Sequence, residues 1–159
     1  MSVRVQGIKA EIAAADQHLN SVLDQVGDRW ETQVYAKGEA WTVQQLAVHL
    51  MIARKGHLDM ATYAAQGKNL IPEDYDVNRF NRGSVRRMVE TPVGTIRDNL
   101  TAAHTALIQW LDDLEDESLL DREGRYPTLT MKTVEQILRR NAAHERGHAD
   151  DITAALGIA

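Results

Sequence analysis

The chain has no cysteine, and that absence excludes disulfides, thiolate metal ligands and an internal thiol nucleophile together. Any metal must be held by His, Asp or Glu, and thiol chemistry would need a thiol from outside. Phenylalanine occurs once and proline three times. Ala, Leu, Gln, Glu, Asp and Arg are abundant, a mix that disfavours sheets and favours helices. No apolar run approaches the about 20 residues needed to span a bilayer, and the opening MSVRVQGIKA lacks a signal-peptide core. No broad cationic face is implied by a formal net charge of -5, which argues against a generic nucleic-acid binder. The expectation is a cytoplasmic protein with a small-molecule substrate and neither nucleic acid nor membrane as partner. Its 159 residues make one ordinary domain, able to bury about two-thirds of its unfolded surface. Monomer and homodimer both remain open.

Apolar periodicity supplies the architecture. Ile8, Ile12, Ala15, Leu19, Val22, Leu23 and Val26 recur at three- and four-residue spacing, which predicts an amphipathic helix over about 3–26, ended by Gly27. A second helix begins at Thr42, with Gln45 at the capping-box position and Trp41 and Leu46 placed as a hydrophobic staple. Leu46, Leu50, Ala53 and Met60 give it an apolar face. Residues 67–76 read as a loop, followed by a short, weakly periodic helix over about 77–89 carrying Arg79, Arg82, Arg86 and Arg87. Thr91 then reads as a cap with Pro92 at the first helical position. The helix they open has Ile96, Leu100, Ala103, Leu107, Trp110, Leu111 and Leu114 as its buried stripe. After an acidic connection, the last helix starts at Thr130 or Thr133 and runs to about Leu156. No strand pair stands out. The fold class predicted is all-α: a four-helix bundle with a short extra helix between the second and third long helices.

Against that frame, His144 and His148 are conspicuous. Their spacing puts two imidazoles about 40° apart around a helix and about 6 Å apart along it. Such a pair can grip one divalent cation, although two half-exposed helix residues would look the same. His49 offers a third imidazole from the second helix. It sits about 10 Å from that helix's start, and His148 about 12 Å from the end of the last helix, so antiparallel packing would bring them level. Parallel packing would separate them, and the sequence fixes neither.

Three imidazoles with one open position match the layout of a catalytic zinc. Asp151 falls on the same face as His148, where it could orient a ligand ring or simply be a solvated charge. Asn141 and Gly147 flank the pair. Gly147 either keeps the approach open or is a packing glycine. His18 and His104 read as satisfied bundle histidines. His57 lies about 12 Å further along its helix than His49, too far to share one metal. The four arginines read first as a solvated helix face, and secondarily as a holder for carboxylates. Trp41 reads as a staple before a substrate platform.

Residues 144–148 also spell H-E-x-x-H, the zinc-protease signature. The remaining eleven residues contain no His or Glu to complete such a site, so the match misleads.

An ordered set of features carries a resemblance. W-T-V-x-x-L-x-x-H-L runs from Trp41 to Leu50, N-R-F-N from Asn78 to Asn81, a T-P helix start lies at Thr91, and H-E-R-x-H lies in the last helix, from His144 to His148. Together they resemble the DinB-like superfamily, which includes mycothiol-dependent maleylpyruvate isomerases and bacillithiol-dependent transferases. The resemblance spans essentially the whole chain. It implies a four-helix bundle binding one divalent metal, zinc or nickel, through His49, His144 and His148.

Three neutral ligands leave the metal its full charge, so an anion is favoured at the open position. With no internal cysteine, a thiolate there must come from a low-molecular-weight cosubstrate such as mycothiol, bacillithiol or glutathione. That gives the leading expectation, a thiol S-transferase or thiol-dependent isomerase. The alternatives are a hydrolase using metal-bound hydroxide with Glu145 or Asp151 as base, and a non-catalytic metal-binding or dimerising bundle.

Overall fold

Short polar side chains start the helices. In the computed structural model, which describes residues 1–158, the Ser2 side chain accepts from the Val5 amide at the head of α1 (Val3–Asp24). Thr42 and Gln45 form a reciprocal capping box at α2 (Val43–Ala65), and Thr133 and Gln136 repeat it at α5 (Val134–Leu156). Asp76 caps the short α3 (Val77–Arg87). α4 (Val93–Asp112) departs from expectation. Pro92 itself occupies the capping position, without a side-chain hydrogen bond, and Thr91 caps nothing. α1 also ends earlier than its periodicity predicts, at Asp24. Val26 is still fully buried, and Gly27 takes the left-handed conformation (φ 62°) that turns the chain away.

Side-chain pairs and shared core residues fix the helix directions. Arg4 meets Glu135, and His18 meets Asp150, so α1 and α5 run parallel. Lys9 meets Asp112 and Arg97 meets Asp24, so α4 runs antiparallel to α1. Arg54 meets Glu145, while Leu46 and Ile152 share one end of the core and Ala64 and Ile137 the other, so α2 is antiparallel to α5. α2 and α4 pack side by side and parallel. The four long helices therefore run up, down, down, up. A parallel step from α2 to α4 requires a connection as long as the bundle, and residues 66–92, containing α3, supply it.

The connection between α4 and α5 corrects the expectation of no strands. After a 3₁₀ turn over Glu117–Asp121, β1 (Glu123–Arg125) pairs antiparallel with β2 (Met131–Thr133). β1 lies so close to α2 that a Cβ on Gly124 would sit 2.8 Å from that of Ala64. This contact holds the hairpin on the bundle and puts Tyr126, next after β1, over α2. No helix among the described residues is long and apolar enough to cross a membrane.

Candidate metal centre

The antiparallel packing of α2 on α5 resolves what the sequence left open. His49 Nε2 lies 3.1 Å from His144 Nε2, and His148 Nε2 lies 3.1 Å from the same atom. One nitrogen from each ring falls within 4.8 Å of the others. A tetrahedral zinc with nitrogens at about 2.0–2.1 Å would separate neighbouring ligand atoms by about 3.3 Å. The cluster is thus close to the spacing of three corners of one coordination sphere. Trp41 covers the His49 ring, centroid to centroid 4.9 Å, so it roofs the site as well as preceding the α2 cap.

Burial sets the charge state. The His144 pKa falls to about 2, first through desolvation and then through the neighbouring His148, His49 and His57. His49 falls to about 4 by desolvation, with His148 and His57 adding to it. Desolvation also lowers His148, against the pull of Asp151. All three rings are neutral at neutral pH, the state that metal ligation needs.

One tautomer follows from the hydrogen bonds. Burial, reinforced by Asp151, raises the Tyr35 pKa, so its hydroxyl keeps its proton and donates it to Asp151 Oδ2 at 2.5 Å. The phenol oxygen is then an acceptor for His148 Nδ1–H at 2.6 Å. With Nδ1 protonated, His148 Nε2 presents a bare lone pair to the cluster. Asp151 is 3.7 Å from His148 Nδ1. Its hold on that ring therefore passes through Tyr35 rather than by the direct bond its spacing implied.

Glu145 requires a correction. It is not a base facing the cluster but is 1% exposed, with both carboxylate oxygens held by Arg54 at 2.6 and 2.8 Å. Asn141 Nδ2 donates to the same carboxylate at 3.1 Å, and Asp16 meets Arg54 from α1 at 2.8 Å. Asn141 thus belongs to this buried network rather than to the approach to the site. Gly147 packs against nothing, since an added Cβ would meet no atom within 4 Å.

The other histidines sort by partner. His18 is satisfied by Asp150 at 2.8 Å. His104 is less so: it stands 4.0 Å from Asp16, and its Nδ1 is buried without a partner. His57 comes nearer than its position along α2 implied, its ring centroid 5.9 Å from that of His144. Its Nδ1–H donates to the Ala53 carbonyl at 2.7 Å and its Nε2 accepts from the Tyr126 hydroxyl at 2.9 Å. Both nitrogens are occupied, so His57 borders the cluster without joining it. Arg79, Arg82, Arg86 and Arg87 are exposed on α3, and Arg82 pairs with Glu39.

Beside the cluster lies a cavity of about 980 Å³, walled largely by apolar side chains of α2, α3 and α4 and by the hairpin, with His49 and His144 in its lining. That volume is at the upper end of small-molecule sites. Tyr35, Tyr126 and the cavity itself have no counterpart in the sequence; no spacing rule connects them to the histidines.

A long-crossover helical bundle presenting three neutral imidazoles beside a large cavity defines a class, and the family comparison agrees: the model of the DinB superfamily matches residues 11–152. The chain belongs to that superfamily. Among solved structures it is similar to YfiT from Bacillus subtilis, described as a probable metal-dependent hydrolase with an unusual four-helix bundle topology. The TM-score is 0.76 at 18% identity, over 100% of this chain and 91% of that one. No curated protein matches the chain.

Proposed function

We propose that His49, His144 and His148 hold one divalent ion, zinc or nickel, and that the protein is an enzyme using a low-molecular-weight thiol for S-transfer or thiol-dependent isomerisation. The observation that carries this reading is the convergence of three neutral ring nitrogens in a chain without cysteine. Such an ion supplies a positive charge that acidifies a thiol or water at its open position. The chain's own residues do the rest. Tyr35 and Asp151 hold His148 in one tautomer, Trp41 shields His49, and the apolar cavity takes the organic substrate out of water.

The thiol reading is favoured over hydrolysis by the state of Glu145. Its carboxylate is locked against Arg54 and is not free to manage a water's proton, and the other candidate base, Asp151, is engaged by the Tyr35 hydroxyl. The hydrolase reading draws on the description of YfiT. A purely structural or dimerising role leaves a 980 Å³ cavity beside the ligands without a use.

Assays of metal-loaded protein against electrophile and ester panels, with and without mycothiol, bacillithiol or glutathione, separate the readings. Turnover that requires a thiol supports the proposal. Ester hydrolysis indifferent to thiol would replace it with a hydrolase.

A further inference from the structure

The cavity's charges are uneven. Its charged lining residues are Lys55, Asp59 and Arg140. Lys55 and Asp59 neutralise each other at 2.6 Å, one turn apart on α2. Arg140 has no carboxylate within ion-pair distance among the described residues, although its sequence neighbour Arg139 binds both Glu11 and Glu135. Arg140 is exposed and reaches the Tyr126 phenol but no carboxylate; in a chain with 23 acidic residues against 18 basic ones, such a guanidinium at the wall of an apolar chamber offers a place for a negative group. Its field reaches inward, since it helps to depress both His57 and His144 and acts on the Tyr126 phenol.

Location adds the second argument. Arg140 precedes His144 by one turn of α5, about 6 Å along the helix. An anion on Arg140 would stand close to the imidazole cluster without occupying it. Beyond that charged end, Met51, Ile52, Tyr75, Phe80 and Met88 make an apolar wall. Phe80 and Met88 remain 42% and 38% exposed, side chains for which the fold itself finds no cover.

We infer that the cavity binds an organic carboxylate with an extended apolar body, its carboxylate paired with Arg140 and its body lying along the α2–α3 wall. An Arg fork suits a planar carboxylate, which it can grip with two parallel hydrogen bonds. The Lys55–Asp59 pair adds no net charge, so a single negative group is matched. As an account of substrate choice this rests on the enzyme reading above. As an account of binding it needs no metal.

The test is calorimetric titration of chelator-treated protein with 4-phenylbutyrate and with the uncharged 4-phenyl-1-butanol. The acid should bind roughly tenfold more tightly than the alcohol. Arg140→Gln should abolish that preference while leaving alcohol binding unchanged, and Ala103→Trp, which fills the cavity from α4, should abolish both. Thermal melts of the two variants confirm that they are folded. Equal acid affinity in wild type and Arg140→Gln, undiminished binding in Ala103→Trp, or no binding of the acid by wild type would each overturn the inference. Metal content of the same protein, measured before chelator treatment and again after reloading with zinc or nickel, keeps the two proposals apart. Acid binding by a protein that takes up no metal overturns only the metal reading, and metal uptake without acid binding overturns only this one.

Discussion

The Tyr35 hydroxyl stands 2.6 Å from His148 Nδ1 and fixes which nitrogen of that ring faces the cluster. A loop residue thereby decides the chemistry of a helix residue 113 positions away. Removing the hydroxyl leaves His148 free to change tautomer and leaves Asp151 without its link to the ring. Tyr35→Phe should therefore weaken metal affinity by about 10–100-fold, the usual cost of losing such a supporting bond. Competition against a chromophoric chelator measures it. Asp151→Asn should weaken affinity in the same direction by less, since the Tyr35 oxygen remains.

A second pair, Arg54 and Glu145, concerns stability alone. Both side chains are almost fully buried, 1% and 2% exposed, and removing one strands the other's charge in the core. Arg54→Ala should cost about 3–5 kcal/mol, read from urea unfolding. Replacing both partners with apolar residues, as Arg54→Met with Glu145→Leu, should recover most of that loss, because the pair's attraction is offset by its desolvation. Asp16 limits the recovery, since it also meets Arg54.

Acid should destabilise the metal-free protein in a definite window. His49 and His57 have folded pKa values near 4, both lowered mainly by desolvation. Their unfolded value is about 6.5. Between these limits the unfolded chain takes up protons that the native state refuses, so stability is complete above about pH 6.5 and falls as pH drops towards 4. A tenfold difference in proton affinity between the folded and unfolded chains corresponds to about 1.4 kcal/mol. Urea midpoints of chelator-treated protein across this range check the sign. A midpoint that rises on acidification would mean that these rings are charged in the native state.

Local signals are readable in the sequence and long-range ones are not. The Thr42–Gln45 capping box lies within one helical turn, so the sequence shows it directly. The same holds for the shared face of His144 and His148, and the ordered motifs link His49 to them. The up-down-down-up course follows from packing, which no helix period reveals. The strands span three residues each and alternate too briefly to register. Glu145 reads as a base because its neighbours are histidines, yet its angle around α5 turns it into the core. The opposite clue stands on α2: Leu46, Leu50 and Arg54 recur every four residues, placing a charge in the apolar stripe to which Ala53 is assigned by residue type. In the fold Arg54 is buried, and Ala53 lines the cavity. Tyr35 and Tyr126 sit in connections, where contacts are set by the scaffold rather than by periodicity.

The most direct trial of the account is elemental analysis of untagged protein beside its His49→Ala variant. The native chain should carry close to one zinc or nickel per molecule, and the variant, folded by its thermal melt, should have lost most of it. Metal retained in full without the His49 ring would contradict a centre built jointly by α2 and α5.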